Sequence, residues 1–301
     1  MKTLTQTQEP ATEGQIKSIA RVGSDAADKA VRDYFAANPT TKENAQRGHA
    51  SGDQLADVIR TAVQSWLADT VVSDKYKDEE VESSYGYLSG YIKPKDSADQ
   101  LKILHEYFPE LPKGDLSPLG IAAENAEGTF IIPHWSLVAK TYPEAVQKII
   151  VALTKQRGGK FHNYRDGEID ADHIRETTQK IAAMQQLRDA QKSDLLQVPA
   201  QFGIRHRGRS VRRAREIFAV NEFGLGAWEI GCMLLTTHPE RLNDYNDLWI
   251  DCAGDEFKPS DESEFSRAPV FSFRGGKPMF GAGEVGIAND DYGSASAFLP
   301  Q

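Results

Sequence analysis

The sequence has few cysteines, no long apolar run and no excess of positive charge, and each shortage excludes a class of protein. Its two cysteines, Cys232 and Cys252, are too few for a multi-disulfide framework or a four-thiolate zinc site. No window reaches the roughly 18 apolar residues of a membrane-spanning helix, and the polar first residues lack the apolar core of a signal peptide. The net charge of −9 argues against nucleic-acid binding by the molecule as a whole. We therefore expect a cytoplasmic protein without a membrane partner.

The remaining composition is that of a globular protein. Hydrophobic residues make up 40% and charged residues 26% of the 301 positions, which suits one large domain or two ordinary ones. Residues 109–120 are rich in proline and also contain glycine, which is typical of a linker. This stretch predicts a helical N-terminal unit over residues 1–110 and an α+β domain over residues 111–301.

Apolar residues at helical spacing predict most of the secondary structure. The clearest pattern runs from Leu55 to Leu67, at i, i+3, i+4, i+7, i+8, i+11 and i+12, and it predicts a helix that buries Trp66. A longer helix is predicted from Asp170 or Asp172 to about Leu196.

Predicted strands are concentrated in the C-terminal third of the chain. Leu248–Cys252 is an apolar run of strand length, and Val270–Phe273 and Pro278–Phe280 flank a Gly-Gly turn, which predicts a β-hairpin. Residues 282–301 are rich in glycine, alanine and serine and predict a loop. The predicted fold class is α+β and mainly helical, with an N-terminal helical unit followed by helices packed on a small antiparallel sheet near the C-terminus.

One segment, RHRGRSVRRAR, is strongly basic and indicates an anion-binding site. It holds six arginines in eleven residues: Arg205, Arg207, Arg209, Arg212, Arg213 and Arg215. Arginine is favoured where phosphate is held by a planar fork of donors, and several such contacts give a salt-sensitive affinity for RNA or DNA. On a helix, Arg209, Arg212 and Arg213 would share one face.

The alternative interpretation is that these arginines are neutralised within the same molecule. Residues 244–301 carry eleven Asp and Glu against four Lys and Arg. Pairing of the basic segment with this acidic segment is slightly favoured over a nucleic-acid site. A third hypothesis combines the two, with the acidic segment covering the basic site until a partner displaces it.

The segment HNYRDGEIDADH, residues 162–173, contains the middle of an EF-hand calcium loop. Asp166 and Asp170 supply oxygen ligands and Gly167 the sharp turn. The first, third and last ligand positions hold His or Tyr in place of carboxylates, so tight Ca²⁺ binding is not expected and no metal site is assigned. The favoured interpretation is an Asp-Gly turn followed by the acidic N-terminus of a helix.

Five carboxylates surround the predicted strand Leu248–Cys252: Asp244, Asp247, Asp251, Asp255 and Glu256. Paired carboxylates serve acid–base or metal chemistry, although most such runs are solvated surface residues. No zinc-protease, nucleophile-elbow or Walker motif accompanies them. No glycine-rich fingerprint has the strand–turn–helix setting of a dinucleotide site, so no cofactor is predicted.

Three functions are consistent with these features. The first hypothesis is a non-enzymatic binding protein that contacts an anionic partner, RNA or DNA first, through the six arginines. The second is a metal- or carboxylate-dependent hydrolase that uses Asp251 and Asp255 with a metal or a histidine. The third is a structural subunit of a larger assembly, which an exposed apolar patch around Tyr85–Tyr91 would support. The sequence leaves open whether the protein is an enzyme, whether another protein is its partner, and its oligomeric state.

Overall fold

The computed structural model describes residues 11–70, 75–113 and 125–300. The chain divides into two compact units, Met1–Val71 and Val72–Gln301. The predicted domain boundary at residues 110/111 lies within the second unit, beside residues 114–124, which are not described. That boundary therefore stays a prediction.

The first unit consists of three helices, α1 (Glu13–Ala37), α2 (Lys42–Ala50) and α3 (Gly52–Thr70). Thr12 begins α1 with a capping box, in which its side chain accepts from the Gln15 amide and the Gln15 side chain accepts from the Thr12 amide. The predicted apolar period of α3 is present, but Trp66 is 52% exposed. The prediction that this helix buries Trp66 is wrong, because amphipathic spacing selects a face without saying what covers it.

Within the described residues the second unit contains five helices and eleven strands. The helices are α4 (Ser97–Tyr107), α5 (Tyr142–Gln156), α6 (Thr178–Gln191), α7 (Val211–Glu216) and α8 (Ala227–Thr237). The strands are β1 (Gly128–Pro133), β2 (His162–Asn163), β3 (Ile174–Glu176), β4 (Leu195–Gln201), β5 (Glu222–Gly224), β6 (Trp249–Asp251), β7 (Asp255–Phe257), β8 (Arg267–Arg274), β9 (Lys277–Glu284), β10 (Tyr292–Ser294) and β11 (Ser296–Phe298).

The strands form two sheets. One has four strands in the order β1-β4-β11-β5, and the other has seven, with the path β10-β6-β8-β7-β3 and with β9 joining β8 to β2. The prediction of a mainly helical protein with one small antiparallel sheet is therefore wrong. The second sheet is also mixed, since β10 pairs with β6, and β2 with β9, in parallel. Most of these strands are only two or three residues long, too short to show the alternation by which strands are predicted.

The stretch from Asp170 to Leu196, predicted as one helix, is divided among β3, α6 and the start of β4. Thr177 caps α6 by accepting from the Lys180 amide, and Lys192 ends it in the left-handed conformation at φ +51°. All seven residues of β4 are buried. A strand buried on both faces has no polar positions, so its periodicity does not separate it from the end of a helix.

The C-terminal region contains one correct and one wrong prediction. The β-hairpin of β8 and β9 is confirmed, with Gly275 and Gly276 at φ +58° and +75° in the turn. The loop predicted over residues 282–301 instead contains the end of β9 and both β10 and β11. Its small residues pack inside the protein, where Ala297 of β11 lies between Ala200 of β4 and Phe223 of β5.

The core of the second unit is centred on α8, all of whose residues are buried. This helix packs on α5 so closely that a Cβ atom at Gly231 would lie 2.4 Å from Cγ1 of Ile149. The indole nitrogen of Trp228 donates to the carbonyl of Pro133 at 2.6 Å, which ties α8 to β1. The start of α8 is therefore fixed on several sides, and the polar groups around it are held in defined positions.

Candidate functional site

The arginine segment contacts the protein itself. Nε of Arg212 lies 2.8 Å from each carboxylate oxygen of Glu79. Arg213, whose side chain is 4% exposed, pairs with Glu80, and Nε of Arg209 lies 3.4 Å from Glu80. The three arginines predicted to share a face thus meet one short acidic segment.

The other three arginines also have intramolecular partners. Arg205 pairs with Glu222 at 3.2 Å, and Arg207 donates to the carbonyl of Tyr85 at 2.8 Å. Arg215 donates to the carbonyls of Ala253 and Asp255 at 2.8 and 2.7 Å. Among these side-chain bonds only those of Arg215 reach residues 244–301, where they end on backbone carbonyls, and the backbone amide of Arg212 donates to the Val285 carbonyl at 3.0 Å. The anion site at the six arginines stays a prediction.

The acidic partner of the arginines is the segment 78–82, DEEVE. Backbone bonds fix it against the arginine segment, with the Val81 amide donating to Gly208 at 2.7 Å and the Ser210 amide donating to Glu79 at 3.1 Å. The sequence did contain a signal, four carboxylates in five residues, but it lies more than 100 residues away from the arginines and resembles any solvated acidic run.

Three of the five carboxylates around β6, those of Asp247, Asp251 and Asp255, are buried. Asp251 is 6% exposed, and burial together with the nearby charge of Asp291 raises its pKa to about 7. Asp247 is fully buried, and its carboxylate accepts from four backbone amides, those of Leu88, Ser89, Asn243 and Asp244. In the described part of the chain, no group of three His, Cys, Asp or Glu side chains is arranged to hold a metal ion.

Asp255 belongs to a buried ionic cluster around Lys180, which we call the Lys180 cluster. Nζ of Lys180 lies 2.8 Å from Glu229, 3.0 Å from Asp255 and 3.3 Å from Glu176. It also donates to the hydroxyl of Tyr142 at 2.9 Å, and that hydroxyl donates to Asp255 at 2.6 Å. The Lys180 ammonium group therefore pairs with three carboxylates, which belong to β3, α8 and β7, and the Tyr142 hydroxyl donates to one of them.

Electrostatics and packing keep this cluster closed. Burial raises the pKa of Tyr142 and of Asp255, whereas the three carboxylates outweigh burial at Lys180 and raise its pKa. A Cβ atom at Gly226 would lie 2.2 Å from Asp255 and 2.3 Å from Lys180, so only glycine fits there. Because Lys180 and Asp255 are fully buried, the cluster joins α5, α6, α8 and β7 in the interior of the second unit.

The segment 162–173, which resembles part of an EF-hand loop in sequence, forms a turn whose side chains bond to one another and to Ser260. Gly167 has the positive φ, +80°, that the predicted sharp turn requires. The carboxylate of Asp170 lies 2.7 Å from Nδ1 of His173. On the other side of the ring, Nε2 of His173 lies 3.1 Å from the hydroxyl of Ser260. Ser260 was not identified from the sequence, since nothing in its local sequence indicates a site.

Two tyrosines of the segment Tyr85–Tyr91 pack in or against the core, although Leu88 between them is 64% exposed. Tyr91 is 5% exposed and packs edge-to-face on Phe202, and Tyr87 packs on both. The guanidinium of Arg241 lies 4.3 Å from the Tyr87 ring centre. Tyr91 and Phe202 belong to the core, and Tyr87 is partly buried against it.

The large exposed apolar residues of the first unit lie on α1 and α3, on a surface that we call the apolar face. Its residues are Ile16, Ile19, Val22, Val31, Tyr34, Phe35, Leu55, Val58, Val63 and Trp66, each between 36% and 67% exposed. Neither α1 nor α2 contains a buried residue. Between α1 and α3 lies a groove of about 490 Å³, and the described residues that line it are apolar or small.

Among residues 11–70, 75–113 and 125–300, no helix combines the length and apolar character that a membrane span requires. Comparison of the chain with protein-family models, with curated proteins and with solved structures gives no match.

Proposed function

We propose that the protein is a structural subunit that self-associates through its first unit, with α1 and α3 of two copies packing as a four-helix bundle. The observation that carries the proposal is the apolar face, which is left exposed along both helices. Helices in proteins gain most of their stability from packing an apolar face against a partner. A second copy supplies that partner.

The exposed area of the apolar face suits a dimer. Its ten side chains leave roughly 1,000 Å² uncovered in each copy, since an aromatic side chain has about 150–250 Å² and an aliphatic one somewhat less. This area is close to the about 800 Å² per partner of a stable interface. Exposed apolar patches of more than a few hundred Å² mark interaction sites in soluble proteins. The face is therefore large enough to hold two copies together.

Charge favours a second copy over a strongly charged partner. Residues 11–70 carry eight acidic and seven basic side chains, whereas the whole chain has a net charge of −9. Five pairs within the helices neutralise much of this: Lys17–Glu13, Arg21–Asp25, Lys29–Asp33, Arg32–Asp28 and Arg60–Asp57. Two nearly neutral units approach each other without strong electrostatic repulsion. A strongly basic or acidic partner would gain little electrostatic attraction from this unit.

The groove between α1 and α3 has the shape that a helix of the second copy needs. On the α1 side its wall consists partly of the small residues Gly23, Ala26 and Ala27, which allow close approach of another helix. On the α3 side, Val63 and Trp66 supply large apolar surface. In a dimer with a two-fold axis, the same groove of both copies would form the interface, so that each copy contributes identical residues.

The test is sedimentation equilibrium of the full chain with two matched variants. We expect a wild-type mass of twice 33.3 kDa. Val58→Glu places a carboxylate on the apolar face at a side chain that is 65% exposed, so that it removes no core packing. It should weaken association at least about 100-fold, because an unpaired charge buried in the interface costs several kcal/mol.

Gln64→Glu is the control, since it adds the same charge to the polar side of α3, which also carries Asp57 and Arg60. We expect it to leave the dimer unchanged. A wild-type chain that stays at 33.3 kDa at about 100 µM would contradict the proposal. Equal effects of the two variants would contradict the assignment of the interface.

We place the subunit in the cytoplasm as part of the same proposal. Cys232 and Cys252 are free thiols buried in the second unit. Free cysteines in this setting support a reducing compartment, in which a disulfide is not needed for stability.

A further inference from the structure

A serine, a histidine and an aspartate meet at the surface of the second unit, where β3 and β7 pair. The two strands are antiparallel, with Ile174 opposite Phe257. The pairing continues for one more bond, from the Lys258 amide to the His173 carbonyl at 2.8 Å. The residue before β3 and the loop after β7 are therefore neighbours, and this brings Ser260 beside His173.

The three side chains follow the order of nucleophile, base and orienting carboxylate. Oγ of Ser260 lies 3.1 Å from Nε2 of His173, and Nδ1 of His173 lies 2.7 Å from Oδ1 of Asp170. The same oxygen of Asp170 accepts from the Asp172 amide at 2.9 Å, which fixes the carboxylate. These distances are within reach of proton transfer from the hydroxyl to the imidazole.

Glu168 holds the serine in a resting arrangement. Its Oε1 accepts from the Ser260 hydroxyl at 2.5 Å and from the Ser260 amide at 3.1 Å, while Oε2 pairs with Arg165 at 3.1 Å. Hydrogen bonds from Ser260 are the main reason that the pKa of Glu168 falls to about 2. The Ser260 hydroxyl therefore donates its proton to the ionised carboxylate of Glu168 and not to His173.

We propose that Ser260 is a nucleophile toward small activated acyl esters, with His173 as its general base and Asp170 as the residue that orients the imidazole. Ser260 lies on an exposed loop, so small esters reach it without entering a cleft. The Asp261 amide, next in the chain, makes no hydrogen bond with the described residues and is available to the developing oxyanion.

In the acylation step, Oγ of Ser260 bonds to the carbonyl carbon and its proton passes to Nε2 of His173. The bond to the leaving alcohol breaks, and the alcohol departs with that proton. Water then attacks the acyl-serine and gives one proton to Nε2 of His173. The bond from the acyl carbon to Oγ breaks, His173 returns that proton to Oγ, and the carboxylic acid leaves. With a fluorophosphonate only the first step takes place: Oγ bonds to phosphorus, its proton passes to His173, and fluoride leaves.

The test is labelling of the full chain with an alkyl fluorophosphonate, followed by peptide mass mapping. We expect labelling at Ser260, lost in Ser260→Ala. His173→Ala and the closer-sized His173→Gln should each slow it at least about 100-fold, the usual contribution of a general base. Asp170→Asn should slow it less. Glu168→Gln should accelerate it, because an amide oxygen is a weaker acceptor than a carboxylate and competes less with His173 for the serine proton.

Ser263→Ala is the control, an exposed serine of the same loop, and should change nothing. The unfolding temperature of each variant shows that a loss of labelling is not a loss of fold. The proposal is overturned if Ser260 is labelled no faster than Ser263, or if the His173 variants are labelled at the wild-type rate. Slower labelling of Glu168→Gln would overturn the role given to Glu168.

Discussion

At the residue scale, the protein places a strong concentration of charge in its interior. In the Lys180 cluster a fully buried ammonium group faces three carboxylates, and one oxygen of Glu229 has no hydrogen-bond partner among the described residues. Burying the ammonium group and the carboxylates costs desolvation free energy. The buried carboxylates are tolerated only while the positive charge of Lys180 is present. The cluster therefore makes the start of α8 dependent on a single side chain.

Lys180→Met tests this dependence. We expect a loss of about 3–5 kcal/mol in the free energy of unfolding at pH 7, because the carboxylates stay buried without a cation. Burial already raises the pKa of Asp255. A carboxyl whose pKa is higher in the folded state stabilises it below the unfolded-state pKa and loses that effect as pH rises, so the deficit should shrink toward about pH 4.

Urea unfolding at several pH values measures the deficit, with Lys160→Met as the control at an exposed lysine. A variant that unfolds at the same urea concentration as Lys160→Met would show that the cluster adds no stability. A deficit that grows on acidification would show that the sign of the carboxyl titration is wrong.

At the element scale, α7 forms ion pairs with the segment 78–82 of the same unit. The Arg213–Glu80 pair has side-chain exposures of 4% and 31%, whereas the Lys17–Glu13 pair on α1 has 75% and 73%. We expect a double-mutant cycle of Arg213→Gln and Glu80→Gln to give a coupling free energy of about 1–3 kcal/mol, against less than about 0.5 kcal/mol for the exposed pair. Urea unfolding of the four proteins in each cycle measures both values. Equal couplings would mean that this contact does not hold α7 in place.

The elements also show how much of the fold the sequence could predict. The apolar period of α3 and the Gly-Gly hairpin turn are local signals, and both elements are present. β4 and β11 could not be predicted because seven and three buried residues in a row show no alternation of apolar and polar positions.

The ionic cluster and the Ser260 contact could not be predicted for another reason. Glu176 and Lys180 look like an ordinary i, i+4 surface pair, and only the pairing of β3 with β7 brings distant residues to them.

At the scale of the whole molecule, the two units have different sources of stability. The second unit has a continuous core that includes Trp228 and Trp249, both about 1% exposed or less. The first unit has no buried residue in α1 or α2. If the first unit is folded only when its apolar face is covered by a second copy, its stability is inseparable from protein concentration.

The final prediction is that the full chain unfolds in two steps that respond differently to concentration. Raising the concentration about 100-fold should shift the loss of helical circular dichroism in the first step upward by several degrees, because mass action stabilises the dimer. The second step, followed by fluorescence of the buried tryptophans, should not move, since the core of the second unit lies within one chain. Val58→Glu should remove the concentration dependence of the first step, and Gln64→Glu should retain it. One transition at a fixed temperature would mean that the first unit is stable without a second copy, and the apolar face would then need another explanation.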